Sequence, residues 1–372
     1  MCVWVVGARE AGESRTTRLG KMAAVEHERF AFEVEWLDHN VGTKRKYQLM
    51  YYTANDTIEM YDIKNRRTFL KRCYYPGVKL EHLYLNAKVT VFSRQLEVVA
   101  YADEFTKRHL SSQQEKTLAV VKPDGLASLG NTLDAIYNAG LRISKMQTSE
   151  VAAVVEQPYL AECLGLGSQP AGRVVGIEVV GANAIETLLQ LCSSGSSVYA
   201  SPSSEVALKD VEVFFSGVSP MSSTPVGKPD SSYTCCLIKP HAVQDGNVGK
   251  IVSAIQSTGD CSVSLIGLYN LEREDAAEFY EVYRGVVLEY GSMVDELTSN
   301  SFIAIMIEGS EDVVEQFRSV CGPPDPELAV ILRPTSLRAQ FGIDKVRNAV
   351  HCTDLKEDGP LEANYFFNVL LA

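Results

Sequence analysis

Thr117-Leu-Ala-Val-Val-Lys122-Pro123-Asp-Gly-Leu126 and Thr234-Cys-Cys-Leu-Ile-Lys239-Pro240-His-Ala-Val243 match each other position by position. Each is an apolar run of strand length that stops at Lys-Pro, where proline withdraws a backbone donor and fixes φ. The likeness extends outward. A helical stretch follows in each copy (Asn131 to Asn138, Val248 to Gln256), then a turn (Ala139-Gly140, Thr258-Gly259), then a further strand. A unit present twice governs the reading of the whole chain. Its order of strand, helix, strand, helices, strand, helix, strand is the split βαβ or ferredoxin-like arrangement. The predicted fold class is therefore α+β or α/β, with helices over one face of an antiparallel sheet and a closing strand at Tyr365 to Leu370.

The rest of the chain arranges itself around this repeat. Residues 216–232 are rich in Ser, Pro, Thr and Gly and read as a linker between copies at 116–215 and 233–372. Nearer the N terminus, Phe30, Phe32, Val34 and Trp36 alternate with Ala31, Glu33 and Glu35, the two-residue period of a half-buried strand. Further strands are predicted at Tyr47 to Tyr52, Ile58 to Ile63, Lys88 to Phe92 and Leu96 to Tyr101, with a short helix near Asp103 to Leu110. Residues 28–108 thus form a small, mostly β domain. Residues 1–27 lack periodicity and read as an extended arm.

Composition narrows the function classes. No apolar run approaches the roughly 18 to 20 residues of a membrane helix, and no basic segment precedes the apolar Cys2 to Ala8, so a cytoplasmic protein is expected. The nine cysteines are odd in number and contain no Cys-x-x-Cys pair, which argues for reduced core thiols rather than a disulfide framework or zinc site. The net charge of -12 is unevenly spread. Residues 28–108 hold fourteen Lys/Arg against eleven Asp/Glu, whereas residues 233–372 hold ten against twenty-one. An acidic C-terminal half argues against nucleic acid as a partner, while the basic end suits an acidic protein surface.

The C-terminal copy carries the chemistry. Arg347-Asn348-Ala-Val-His351-Cys352-Thr353-Asp354 is a polar segment after Phe341-Gly342, and it offers a histidine, cations and a carboxylate that could converge on a phosphate. The end of the strand at Lys239-Pro240, Arg338 ahead of Phe341-Gly342, the Arg347-Asn348-x-x-His351-x-Thr353-Asp354 run and Glu362 eleven residues beyond the histidine resemble the nucleoside diphosphate kinase family in order and spacing. The resemblance implies a ping-pong transfer of a γ-phosphoryl group through a covalent intermediate. It makes His351 the nucleophile, with Thr353 and Glu362 orienting its imidazole. It places Lys239, Arg318 and Arg338 on the phosphates, Tyr280 near them, and Asn348 on the sugar. Such cations suit a reaction governed by positioning and electrostatics. The resemblance also implies Mg2+ carried on the phosphates of ATP or another nucleoside triphosphate, with no metal held by the protein alone.

Departures from the pattern lie close by. Pro324 stands where the resemblance implies a threonine. Leu288 stands where it implies an aromatic against the base, Lys345 where it implies an apolar residue on the other face, and Cys352 replaces a glycine. The middle copy keeps Lys122-Pro123-Asp124-Gly125 but lacks the arginine-bearing loop, and aligning Val211 to Phe215 with the last strand puts Tyr199 or Ala200 at the nucleophile position. That copy reads as a pseudo-enzyme.

The N-terminal domain has a resemblance of its own. Glu28 to Trp36, Asp62 to Arg72 and Val91 to Leu96 are similar to the DM-ten domain of axonemal proteins. With two kinase-type units behind it, the chain resembles the seventh-type nucleoside diphosphate kinase homologues of cilia and flagella. That resemblance implies a pleckstrin-homology-like β fold and a place inside the axonemal doublet microtubule, with tubulin and other inner proteins as partners. Lys44, Arg45, Lys46, Lys64, Arg66, Arg67, Lys71 and Arg72 are then the candidate contact with acidic tubulin. Because the base-facing positions have drifted, docking ranks ahead of catalysis on sequence grounds.

Overall fold

The structure, a computed structural model, describes residues 29–38, 42–92, 94–111, 114–166, 171–192, 197–221, 232–259 and 261–371. The expected arm and residues 222–231 of the expected linker lie outside the described residues. The chain divides into two compact units, one running to Leu85 and including Val98–Lys107, the other comprising Asn86–Glu97 and Arg108 onward.

The N-terminal strands are β1 (Arg29–Asp38), β2 (Thr43–Tyr52), β3 (Thr57–Asp62), β4 (Arg67–Tyr74), β5 (Lys88–Val91) and β6 (Arg94–Tyr101), followed by helix α1 (Glu104–Ser111). They form one sheet in the order β4-β3-β2-β1-β6-β5. Phe32 and Val34 of β1 are buried opposite Leu49 and Tyr47 of β2, while Phe30 and Trp36 are half-buried and Ala31, on the other side of the predicted alternation, is buried as well. β4 is an addition to the predicted set. As an edge strand it is exposed along most of its length, so no face imposes an apolar period on its sequence.

The first copy of the repeat comprises β7 (Glu115–Val121), α2 (Leu129–Asn138), β8 (Arg142–Glu150), α3 (Val151–Val155), α4 (Pro158–Leu164), β9 (Arg173–Gly181), α5 (Ala184–Cys192), β10 (Val198–Ala200) and α6 (Ser204–Gly217). The second copy opens with β11 (Ser232–Ile238), α7 (Pro240–Gln244), α8 (Val248–Gln256), β12 (Cys261–Tyr269), α9 (Arg273–Phe279) and α10 (Tyr290–Leu297). It continues through β13 (Phe302–Gly309), α11 (Val313–Cys321), α12 (Pro326–Leu332), α13 (Leu337–Phe341), β14 (Val350–Cys352) and α14 (Asp358–Phe367). All eight strands share one sheet, ordered β10-β7-β9-β8-β12-β13-β11-β14. Each copy thus has the ferredoxin-like order, and the copies join through their second strands, β8 and β12.

Three expectations need correction. Helices cover both faces of this sheet, since Cys236 and Ile238 pack with Ile251 and Phe317 on one side while Cys235 and Leu237 pack with Ala276, Val294 and Phe366 on the other. Burial on both faces is the reason the strands read as unbroken apolar runs. The closing strand predicted at Tyr365 to Leu370 is instead the end of α14 and a 3-10 turn. Ala363, Phe366 and Phe367 are buried at helical spacing, and that period prevails over the local aromatic content. Val211 to Phe215 likewise belongs to a helix, α6; the fourth strands are the three-residue β10 and β14.

The seam between copies is tight. The Thr148 hydroxyl replaces a ladder rung, donating to the Ile266 carbonyl and accepting from the Ile266 amide at 2.9 Å each. Beneath it α2 and α8 touch backbone to backbone. A Cβ on Gly249 would sit 2.1 Å from the Asp134 nitrogen, and one on Gly130 would sit 2.4 Å from the Ser253 nitrogen. Each glycine is the second residue of its helix and meets the residue four positions past its counterpart, so the seam has a local twofold character.

Candidate active site

The strand end at Lys239 and the short strand β14 bring the site together. β11 and β14 pair antiparallel with Leu237 opposite His351, and the Lys239 amide donates to the Ala349 carbonyl at 2.9 Å. Ala349 is held at a φ of 68°, left-handed backbone that an alanine adopts only under constraint. Its amide donates to His241 Nε2 at 3.2 Å, while His241 Nδ1 lies 2.6 Å from Glu296. These contacts fix a neutral imidazole with its proton on Nδ1. His241 is a positioning residue that motif reading passed over, although its place two residues after Lys239 was on view.

His351 is buried, with Nε2 3.1 Å from Glu362 Oε2. The Thr353 hydroxyl donates to the same carboxylate oxygen at 2.9 Å and accepts from the Cys235 amide at 2.9 Å. Thr353 therefore acts on the imidazole through Glu362. Phe279 and Tyr280 present edges to the ring, with centroids 5.2 and 5.9 Å away. With Nε2 committed to Glu362, Nδ1 is left for the cavity that His351 lines.

That cavity has a volume of about 430 Å³, and Lys239, Arg318, Arg338, Asn348 and His351 line it. Tyr280 does not line it but sits behind His351, and Tyr283 takes a place in the wall. Lys239 is buried with Nζ 2.7 Å from the Val346 carbonyl; burial and the neighbouring Arg338 charge pull its pKa down to about 7. Arg338 donates to the carbonyls of Gly322 (2.8 Å) and Val350 (3.1 Å). Arg318 is ion-paired with Asp354, whose other oxygen accepts from the Tyr283 hydroxyl at 2.5 Å. Asn348 Nδ2 donates to the Pro324 carbonyl at 2.9 Å, so the proline supplies a backbone anchor here. Asn348 Oδ1 is buried without a hydrogen-bond partner among the described residues.

These groups suit a polyphosphate ester. An under-solvated lysine gains from an adjacent anion, and an unpaired amide oxygen gains from a ligand hydroxyl. Of the carboxylates in the wall, Asp354 and Asp325 are already paired with Arg318 and Lys345. Glu289 is the third carboxylate of the wall. Leu288 is 99% exposed and does not line the cavity, whereas Val287 and Met293 do. Lys345 is in the wall as expected.

The middle copy repeats this framework with different chemistry. Tyr199 pairs with Val120 in the register of His351 with Leu237, and the Lys122 amide bonds the Ser197 carbonyl as Lys239 bonds Ala349. Ser201 and Asp210 then stand two and eleven residues beyond Tyr199, the spacing of Thr353 and Glu362 from His351. The hydroxyls of Tyr199, Ser201 and Tyr159 all donate to buried Asp210, at 2.7, 2.6 and 2.7 Å. Of the two candidates for the nucleophile position, the register selects Tyr199. Burial and Asp210 push its phenol pKa up, so it stays protonated. Only residues 193–197 separate α5 from β10, where the C-terminal copy inserts α12 and α13 and with them Arg338 and Asn348.

The candidate basic residues form two groups. Lys44 and Lys46 are ion-paired with Glu35, Arg45 is paired with Asp38, and Arg72 lies over Tyr52 with its centre 3.6 Å from the ring. Lys64, Arg66, Arg67 and Lys71 are exposed along the β3–β4 edge.

The fold and the site together define a nucleoside diphosphate kinase-type domain at the C terminus. Residues 232–370 match the family described as nucleoside diphosphate kinase, and residues 24–112 match the nucleoside diphosphate kinase 7 N-terminal PH domain. The chain is 40% identical over 379 residues to rat nucleoside diphosphate kinase homolog 7, covering 92% of this chain and 94% of that protein. The mouse protein of the same name is 41% identical over the same shares. Nucleoside diphosphate kinase from Aquifex aeolicus is 34% identical over 137 residues, which is 37% of this chain and 94% of the bacterial enzyme. The chain belongs to the nucleoside diphosphate kinase homolog 7 family.

Proposed function

We propose that the C-terminal copy transfers a γ-phosphoryl group between nucleotides through phosphorylated His351. The observation that carries this is the commitment of His351 Nε2 to Glu362, which leaves Nδ1 for a cavity lined by Lys239, Arg318 and Arg338. Nδ1 attacks the γ-phosphorus of a bound triphosphate; the N–P bond forms as the bond to the bridging oxygen breaks, and the diphosphate departs. A second diphosphate then takes the group in reverse. Glu362 accepts a hydrogen bond from Nε2–H throughout and stabilises the imidazole as it gains positive charge. Lys239 and Arg338 offset charge on the moving group from fixed positions. Mg2+ on the nucleotide would add charge neutralisation. The test is incubation of the full chain with γ-labelled ATP. An acid-labile label on His351 is expected, and wild-type protein that behaves like His351→Ala would end the proposal.

A second reading rests on the exposed cations of the β3–β4 edge. There the chain docks on tubulin as a microtubule inner protein of the ciliary or flagellar axoneme. Exposed Lys64, Arg66 and Lys71 on a two-stranded margin suit an acidic surface, and they also keep an edge strand from pairing with another sheet. Co-sedimentation of the full chain with microtubules should weaken as salt rises and on K64E, R66E and K71E combined. Binding indifferent to both changes would remove the reading. The two roles are compatible within one chain.

A further inference from the structure

We propose that Cys352 is a peroxide-sensitive modification site in the wall of the phosphate cavity, with Cys321 as its resolving thiol. Five described cysteines are buried: Cys235, Cys236, Cys261, Cys321 and Cys352. Of these, Cys352 lines the cavity, so a small oxidant that enters it reaches this sulfur. Arg338 Nη2 lies 3.5 Å from the Cys352 sulfur, and Cys321, the last residue of α11, hydrogen-bonds to it. A buried guanidinium and a thiol donor both favour the thiolate over the thiol. That hydrogen bond and the guanidinium charges of Arg338 and Arg318 hold the Cys352 pKa below the ordinary thiol value. Burial drives Cys235, Cys236 and Cys321 the other way, which leaves them protonated and unreactive. The electropositive wall thus retains one nucleophilic sulfur beside His351.

The chemistry balances with hydrogen peroxide as the oxidant. The Cys352 thiolate attacks one peroxide oxygen, the O–O bond breaks, hydroxide leaves, and the sulfur is oxidised to a sulfenic acid. The Cys321 sulfur then displaces that hydroxyl, which departs as water with the Cys321 proton, and a Cys321–Cys352 disulfide forms. The product ties the end of α11 to the strand residue beside His351 and removes the anion facing Arg338. This modification stands apart from phosphoryl transfer, because it is read by mass rather than by turnover.

Reduced full-length protein is pulse-alkylated with iodoacetamide over a pH series and mapped by peptide mass. Cys352 should reach half its limiting rate at a lower pH than any other cysteine. After hydrogen peroxide, a Cys321–Cys352 crosslinked peptide should dominate. In Cys321→Ser the oxidation should stop at a sulfenic acid on Cys352 that dimedone traps. Oxidation of Cys73 or Cys163 while Cys352 stays reduced would overturn the site. A crosslink from Cys352 to Cys236, its cross-strand neighbour, would overturn the choice of resolving thiol. The alkylation profile needs no variant, so a Cys321→Ser chain that fails to fold leaves the proposal exposed to refutation.

Discussion

Lys239 shows how one side chain couples the site to protons. Its folded pKa of about 7 lies below the ordinary 10.5, so between those values the unfolded chain holds a proton that the folded chain lacks. Stability therefore rises with pH across that window, and below it the charged lysine is carried at a cost. A bound phosphate reverses the preference. Calorimetry of ATP binding above neutral pH, in buffers of different ionisation enthalpy, should show uptake of about one proton that Lys239→Met abolishes. Glu362 invites a separate test. Glu362→Gln keeps the shape but offers the imidazole an amide, and labelling of His351 should slow by about two to four orders of magnitude. The spaced motif made His351, Glu362, Lys239 and Arg338 legible in the sequence, because their types, order and separations along the chain form the signature. The role of His241 was not legible, since a ring's bonds depend on partners distant in the chain.

At the level of elements, the two copies part where α12 and α13 are present or absent. Tyr199→His would restore an imidazole at the right register beside Asp210 but no cations around it. Incubated with labelled ATP, a Tyr199→His, His351→Ala chain should acquire no acid-labile phosphate. The packing of α2 on α8 makes a sharper structural prediction. Gly249→Ala drives a methyl group into the Asp134 backbone, so the helices must separate, and a loss of about 1–3 kcal/mol is expected in urea unfolding. Gly130→Ala meets the same seam, so the pair should not be additive. The strands that face a core on one or both sides were readable from apolar period or unbroken runs. β4 was not, because solvent lies along it, and α14 was misread because Tyr365-Phe366-Phe367 has the composition of a strand while its buried positions follow the turns of a helix.

Over the whole molecule, charge and cover are divided among parts: an exposed basic margin at one sheet edge, an acidic C-terminal copy, and a middle copy in which three hydroxyls converge on buried Asp210. The joint between β8 and β12 has a further effect. Two separate molecules joined through such a sheet would fall apart on dilution, and their thermal midpoint would drift with protein concentration. Here both halves of the joint are on one polypeptide, so the middle copy is a permanently tethered companion for the lobe that holds His351. The midpoint should stay fixed over a wide range of protein concentrations, and a cell with very few copies would keep that lobe as well supported as one with many.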